Sequence, residues 1–291
     1  MGANPGTRKA GKGFIRAMVP FSVLDLAPIT QGGTPAESFR NSLELARHAE
    51  KLGYERFWLA EHHNIPSVAS SATSVLISHI AAGTSRIRVG AGGIMLPNHS
   101  PLVIAEQFGT LESLHPGRID LGLGRAPGGD RLTAMALRAG DGARFPQDLE
   151  ELQGYFAGRS PVRAIPGAGL DIPIWLLGSS DFSVRLAGKL GLPFAFASHF
   201  APGFLRGALQ IYRAARGPKF MVAVNVCGGD TDAEGERLFT TMQQAILGML
   251  RGQRGPLRPP VDRLDWSPAE EQAVGSWLSY SAVGSPTTVQ T

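Results

Sequence analysis

Short apolar segments alternate with longer amphipathic ones from about residue 21 to residue 228 of this chain. The short segments are rich in β-branched and aromatic residues, and the longer ones carry apolar residues at a spacing of three to four, which is typical of helices. Seven strands are predicted, over residues 21–26, 56–60, 87–96, 118–124, 172–178, 193–198 and 219–227. Helices are predicted over residues 35–52, 72–84 and 101–114, and later near 233–250 and 268–278. This alternation is typical of βαβ units on a parallel sheet.

The rhythm favours an α/β fold, a (β/α)8 TIM barrel, with a doubly wound sheet as the alternative. No linker rich in serine and glycine divides the chain, so residues 18–291 are expected to form a single domain, preceded by a disordered leader or added tail at 1–17. Residues 231–279 are less regular and are expected to form an insertion after the seventh strand. The pattern offers no candidate for the last strand and helix of such a barrel, so we expect either that they are missing from this sequence or that the barrel prediction is wrong.

Composition narrows the class of protein. Of 291 residues, 43% are hydrophobic and 18% are charged, which is typical of globular proteins. The net charge is +4, but Arg8, Lys9, Lys12 and Arg16 lie in the leader, and the other 24 basic residues balance 24 acidic ones, so no nucleic-acid partner is expected. No apolar run approaches the roughly 20 residues of a membrane span, and the lone Cys227 cannot form an internal disulfide. A reducing cytoplasm is therefore expected.

Polar residues collect where strands are predicted to end. Glu61, His62, His63 and Asn64 follow the second strand, and this titratable cluster suits proton transfer or anion binding, although a hydrogen-bonded structural turn is the alternative. Two further pocket candidates, His99 and His199, follow the third and sixth strands. No metal is predicted, because adjacent histidines point in opposite directions on an extended strand and no HExxH pattern is present.

Two glycine-rich segments and one group of three serines suggest a bound ligand. Gly90, Gly92 and Gly93 interrupt the third strand, which indicates either a planar ligand close to the backbone or a bulge that curves the sheet. Arg125, in LGLGRAPGGD, is placed to contact a phosphate, but the segment lacks the spacing of the dinucleotide-binding fingerprint. Ser179, Ser180 and Ser183 at a helix start suit an anion, with simple capping as the alternative.

The sequence resembles the bacterial-luciferase-like, flavin-dependent monooxygenases. The resemblance covers nearly everything from Val19 onward and is carried by SVLDLAPI, AEKLGYERFWLAEHHN, RIRVGAGGIMLPNHSPLVIAEQFGTLESLHPGRIDLGLGRAPGGD, WLLGSS and VGSPTTV. It implies a barrel that binds FMN, whose reduced form reacts with oxygen to give a flavin hydroperoxide that oxidises a small organic substrate. It also implies a homodimer and a separate NAD(P)H-dependent reductase as the source of reduced FMN.

Site roles follow from the resemblance by position. His62 corresponds to the catalytic histidine, the Gly92-Gly93 pair to a non-prolyl cis peptide beneath the flavin ring, and Arg125 with Ser180 to phosphate contacts. Ser179 and Ser183 are neighbours of that phosphate site, and Glu61, His63 and Asn64 line the pocket. The chain departs from the family pattern in the absent last strand and in short connections at 138–145, 214–219 and 265–266, which are either deletions or missing residues.

Two alternatives to the monooxygenase are left open by the sequence. One is an oxidoreductase that transfers hydride to or from a deazaflavin coenzyme. The other is a protein that binds flavin without catalysis, since one fold can host a site with or without its chemistry.

Overall fold

A computed structural model describes residues 19–126 and 129–290 and contains a seven-stranded parallel sheet. Its strands are β1 (Ser22–Asp25), β2 (Arg56–Leu59), β3 (Arg88–Met95), β4 (Ile119–Gly124), β5 (Ile174–Gly178), β6 (Phe194–Phe196) and β7 (Phe220–Val222). They are hydrogen-bonded in the order in which they occur in the chain, and each neighbouring pair is parallel. A doubly wound sheet reverses its strand order, so the observed order excludes that alternative and has the winding of a barrel.

Ten α-helices are found in the described part of the chain. They are α1 (Pro35–Lys51), α2 (Thr73–Ala82), α3 (Pro101–Leu114), α4 (Arg131–Ala136), α5 (Phe145–Phe156), α6 (Asp181–Leu190), α7 (Leu205–Ala214), α8 (Asp232–Leu250), α9 (Pro268–Trp277) and α10 (Pro286–Val289). The five helices predicted from the sequence are all present, with ends within one or two residues of the prediction. Helices α1 to α7 lie in the connections between the parallel strands.

Local sequence explains where several helices begin. Thr34 caps α1 and forms a reciprocal capping box with Glu37, which satisfies amide groups that would otherwise have no partner. Ser285 likewise accepts a hydrogen bond from the backbone of α10. Ser100 occupies the N-cap position of α3, but its side chain makes no capping hydrogen bond.

The sheet is curled, because side chains from distant strands meet inside it. Trp58 of β2 packs edge-to-face on Trp175 of β5, with ring centroids 5.3 Å apart. The ammonium group of Lys219, which precedes β7, lies 3.2 Å from a carboxylate oxygen of Glu55, which precedes β2. Side chains on the outer face of the sheet, such as Phe57 and Leu59, are completely buried beneath the helices. These side chains belong to the main hydrophobic core.

The seventh predicted strand, 219–227, is not continuous. It divides into β7 and a second strand, β8 (Asn225–Gly228), which pairs in parallel with β9 (Ser281–Gly284) in a separate two-stranded sheet. The prediction of a single strand was wrong because one apolar run supplies two strands with different partners. The residues of β9 lie more than 50 positions further along the chain, and their apolar pattern is too weak to predict a strand.

Helices α8 and α9 follow β8 and pack on each other around a small apolar cluster formed by Leu247, Val274 and Leu278. A capping box of Ser267 and Glu270 begins α9. The region therefore has a core of its own beside the seven-stranded sheet.

Three other predictions concern the chain as a whole. The predicted leader lies outside the described residues. No helix among the described residues is long and apolar enough to cross a membrane. Cys227 lies in β8 and is only partly buried; burial raises the pKa of its thiol, which donates a hydrogen bond to the Gly235 carbonyl at 3.6 Å.

Candidate active site

Because the strands of the large sheet are parallel, their carboxyl ends share one edge. The predicted site residues follow five of these ends: residues 61–64 after β2, residue 99 after β3, residue 125 after β4, residues 179–183 after β5, and residue 199 after β6. Gly92 and Gly93 lie inside β3 itself. The topology therefore brings residues separated by more than 130 positions in the sequence to a common edge.

Glu61 is the most buried of these residues, with a side chain that is only 1% exposed. It accepts hydrogen bonds from Nε2 of His63 at 2.8 Å and from Nε2 of His99 at 3.0 Å. Nδ2 of Asn98 and the backbone amide of Met95 also donate to it, at 3.1 and 2.9 Å. Glu61 therefore joins the end of β2 to the segment after β3.

The charge of Glu61 is set by two opposing effects. Burial alone would raise the pKa of its carboxyl group, but the hydrogen bonds and positive charge of His99, together with His63 and the Met95 amide, lower it below its ordinary value. Glu61 is therefore ionised at neutral pH and holds both imidazoles in place. This arrangement makes Glu61, His63 and His99 a fixed support for the neighbouring His62.

His62, which follows β2, lies within electrostatic range of His199, which follows β6. Burial, together with the charge of His62, lowers the pKa of His199 to about 4. His199 is therefore a neutral imidazole at pH 7. Of the four predicted histidines, His63 and His99 bind Glu61, and His62 lies near enough to His199 for its charge to act on it. No group of three or more histidine, cysteine or acidic side chains suited to a metal ion occurs among residues 19–126 and 129–290.

Asn64 fixes the loop after β2. It has a positive φ of 55°, a conformation that asparagine tolerates better than most residues, and its Nδ2 donates to Oδ2 of Asp130 at 3.0 Å. Asp130 also caps α4 through the Thr133 amide at 2.8 Å, and these hydrogen bonds lower the pKa of its carboxyl group. The exposed Asn64 side chain thus connects the β2 loop to the β4 loop.

Arg125 lies beside the N-terminus of α6. Its guanidinium carbon is 4.4 Å from the ring centre of Phe182, the second residue of that helix. The hydroxyl oxygens of Ser180 and Ser183 are 3.2 Å apart. Ser180 occupies the N-cap position of α6, but its hydroxyl makes no capping hydrogen bond, so simple capping does not explain it.

The surroundings of Arg125 add positive charge. Together with Arg131 and Arg138 it lines a cleft of about 310 Å³ after β4. Ser179 is partly buried directly before the N-cap of α6. One guanidinium group, serine hydroxyls and the free amides of a helix start together form a donor set that suits a phosphate dianion.

The glycines of β3 permit close strand packing. A Cβ atom on Gly93 would lie 2.7 Å from the carbonyl oxygen of Gly122, and one on Gly92 would lie 2.7 Å from a methyl group of Leu24. The pairing of β3 with β4 changes register between Ala91 and Ile94, so the bulge considered from the sequence is present. The peptide bond between Gly92 and Gly93 is cis, as the resemblance implies.

Comparison with known proteins decides the family. The family model for luciferase-like monooxygenases matches residues 19–289. The chain belongs to the luciferase-like monooxygenase family. A protein of Escherichia coli (strain K12) named luciferase-like monooxygenase is 55% identical over 281 residues, which cover 91% of this chain and 84% of that protein.

Other relatives of this luciferase-like family member are more distant. The N-acetyl-S-alkylcysteine monooxygenase of Bacillus subtilis (strain 168) is 40% identical over 209 residues, covering 68% of this chain and 61% of that protein. The crystal structure of apo-MsnO8 is 40% identical and superposes with a TM-score of 0.86, covering 94% of this chain and 87% of the other.

Fold neighbours of lower identity bind two kinds of coenzyme. The oxygenating constituent of 3,6-diketocamphane monooxygenase from Pseudomonas putida, solved in complex with FMN, is 16% identical with a TM-score of 0.69, covering 93% of this chain and 85% of the other. An F420-dependent secondary alcohol dehydrogenase is 12% identical with a TM-score of 0.64, covering 87% and 81%. At these identities the likeness shows the shared fold.

The interior of the curled sheet contains polar residues that the sequence analysis did not identify. Asp120 of β4 is completely buried, and its two oxygens accept hydrogen bonds at 2.9 Å from Nε of Arg56 and at 2.7 Å from Nη2 of Arg88. Its Oδ2 also accepts from the indole of Trp58 at 3.2 Å. The signal was a lone acid in the apolar run RIDLGLG, which indicates a paired buried charge.

This ion cluster lies at the amino-terminal half of the strands, since Arg56 and Arg88 are the first residues of β2 and β3. Above it, Trp58 and Trp175 pack with Ala195 and are flanked by Leu177 and Met221. In this luciferase-like fold the candidate site therefore has an apolar floor that separates it from the charges below.

Proposed function

We propose that this protein is a flavin-dependent monooxygenase that uses reduced FMN and O2 to oxidise a small organic substrate. One observation carries the proposal to FMN: Arg125 lies over Phe182 at the start of α6, next to two serine hydroxyls that are not used for capping. This donor set suits the phosphate that distinguishes FMN from an unphosphorylated flavin. Membership of the luciferase-like monooxygenase family supports the reaction class.

Arg125, Ser180 and Ser183 would bind the phosphate, and the flavin ring would lie toward β3, where Gly92 and Gly93 leave no side chain in its way. When bound, reduced FMN supplies two electrons and activates O2 for transfer of one oxygen atom. The apolar floor of Trp58 and Trp175 keeps water from entering the site from the sheet interior.

His62 is the proposed catalytic residue. Its imidazole would hold a proton at the reacting oxygen and exchange it with the substrate, as general acid–base catalysis requires. The backbone of His62 is fixed on both sides, because Glu61 is anchored by four donor groups and His63 is bound to Glu61.

Anaerobic titration of the purified protein tests the cofactor, with reduced FMN and reduced F420 in parallel. We expect FMN to bind, and Arg125→Ala to weaken its affinity about 30-fold, because hydrogen bonds to a charged group contribute about 2 kcal/mol. Arg159→Ala is the matched control, since Arg159 is exposed beyond the carboxyl end of α5, at the opposite end of the sheet. Binding of neither coenzyme by the parent protein would refute the proposal.

Catalysis is tested by incorporation of ¹⁸O from ¹⁸O2 into a substrate panel that contains an N-acetyl-S-alkylcysteine, a long-chain aldehyde and a cyclic ketone. We expect His62→Ala to retain FMN affinity within about threefold and to lose turnover about 100-fold or more. A parent that binds FMN with no oxygen transfer to any panel member would favour the flavin-binding protein without catalysis.

One alternative activity is supported by the F420-dependent fold neighbour. A protein that binds only reduced F420, and reduces a ketone without consuming oxygen, would move the assignment to hydride transfer.

We also propose a separate NAD(P)H-dependent reductase as the source of reduced FMN. Turnover with NADH should therefore require an added flavin reductase.

A further inference from the structure

The segment that contains His199 is held by two hydrogen bonds to the chain after β7. Nδ2 of Asn225 in β8 donates to the His199 carbonyl at 2.9 Å and also to Oγ of Ser281 in β9 at 3.2 Å. The hydroxyl of the fully buried Ser198 donates to the Ala223 carbonyl at 2.6 Å. The segment after β6 is therefore attached to the two-stranded sheet and presents His199 in one position.

The His199 side chain has an unused polar atom. Its ring packs edge-on against Phe200, with centroids 4.8 Å apart and an interplanar angle of 86°. Nδ1 is buried and has no hydrogen-bond partner among the residues that the structure describes. A buried polar atom without a partner destabilises a fold, so its presence in a rigid segment requires a reason other than stability.

The location of His199 separates it from the flavin-binding residues. Those residues follow or lie in β3, β4 and β5, whereas His199 follows β6 and lies within electrostatic range of His62. A flavin held between β3 and the start of α6 would leave the β6 side of the site open. The substrate must lie on that open side to reach both the flavin and His62.

The neutral state of His199 limits the chemistry that it would recognise. Its pKa near 4 leaves it uncharged at neutral pH, so it offers a hydrogen bond and no charge. A neutral oxygen or nitrogen group of a substrate, such as a carbonyl, hydroxyl or amide, suits this partner. A carboxylate or phosphate would instead favour the arginine side of the site.

We propose that His199 is a substrate-binding residue, whose Nδ1 hydrogen-bonds a neutral polar group of the organic substrate and orients it between His62 and the flavin. The inference rests on the proposed monooxygenase function, and it assigns the β6 side of the site to substrate specificity.

Two variants test the assignment. In His199→Asn the side-chain amide reaches about the position of Nδ1, whereas His199→Leu places apolar atoms there. We expect kcat/KM for a panel substrate that carries such a group to fall about tenfold in His199→Leu, through a raised KM, and to stay within about threefold in His199→Asn. The dissociation constant of reduced FMN should change less than about twofold in both variants.

A second readout requires no substrate. Since Nδ1 has no partner in the ligand-free protein, His199→Leu should unfold at the same temperature as the parent or at a higher one. His48→Leu, on the exposed face of α1, is the control for loss of an imidazole. A fall of several degrees in His199→Leu with unchanged kinetics would mean that His199 is structural, and would overturn the assignment.

The failure of this inference is distinguishable from failure of the proposed function. A parent protein that binds no reduced FMN overturns the proposed function. A parent that binds FMN and oxidises a panel substrate with equal kcat/KM in His199→Leu overturns only the role of His199. A weakened FMN affinity in His199→Leu would place the residue against the flavin and would also overturn the substrate assignment.

Discussion

Acidification should destabilise this protein partly through His199. An unfolded histidine has a pKa of 6.5, whereas burial and the nearby His62 lower the pKa of His199 to about 4 in the folded protein. Between these two values the unfolded chain binds more protons than the folded one. The free energy of unfolding therefore falls as the pH falls, and this contribution is complete above pH 6.5 and lost as the pH drops through 4.

The magnitude follows from the two pKa values. Lowering the pH from 7 to 5 should decrease the free energy of unfolding by about 2 kcal/mol through His199 alone, and the full loss below pH 4 is about 3 kcal/mol. For a chain of this size, 2 kcal/mol corresponds to a fall of about 5 °C in the unfolding midpoint. Glu61, whose pKa is also lowered, adds its own loss at lower pH.

Urea unfolding of the parent and of His199→Asn at pH 7 and pH 5 isolates the effect. Asparagine does not titrate, while Glu61 and the other acidic groups are common to both proteins. The decrease in unfolding free energy between the two pH values should be about 2 kcal/mol smaller in the variant. An equal decrease in both proteins would mean that His199 titrates normally and that its imidazole is not held in a desolvated position.

Three further perturbations test the fold. Asp120→Asn should lower the free energy of unfolding by about 3 kcal/mol in urea titrations, because it removes the buried carboxylate that Arg56 and Arg88 share and leaves Arg56 paired with Glu55 alone; a loss below 1 kcal/mol would contradict this interpretation of the cluster. Gly122→Ala should prevent folding or sharply lower the midpoint, since the added Cβ would overlap the Ala91 carbonyl oxygen, whereas Gly275→Ala, which has open space in α9, should raise the midpoint slightly. Ser267→Ala should cost about 1 kcal/mol by removing the capping box of α9, and an unchanged midpoint would show that the helix start does not depend on it.

Features that depend on neighbouring residues were predictable from the sequence. The start of α1 is one example, because Thr34 and Glu37, which form its capping box, lie only three positions apart. The periodic spacing of apolar residues likewise identifies the helices between strands. The first six strands of the sheet also follow from their own residues. Their parallel, consecutive order follows from the length of the connections, since each is long enough to contain a crossover helix.

The common location of the predicted site residues also followed from the sequence, because parallel topology places the carboxyl ends of all the strands on one edge. What the sequence did not supply is how these residues pair. Glu61 was grouped with His62 as adjacent in the chain, yet its side chain turns inward to His99, 38 positions away. His62 instead acts electrostatically on His199, which lies 137 positions later.

Curvature is the reason for this difference. Alternation of apolar and polar residues determines which face of a strand is buried, and this is a local property. Which side chains meet inside the sheet depends on how far the sheet curls. The total curl is the sum of the twists between many pairs of strands, so no short segment of the sequence indicates it. The cluster of Asp120 with Arg56, the packing of Trp58 on Trp175, and the separation of β7 from β8 were all decided at that level. The sequence alone determined the elements and their order, and the tertiary structure decided which of their charges and rings meet.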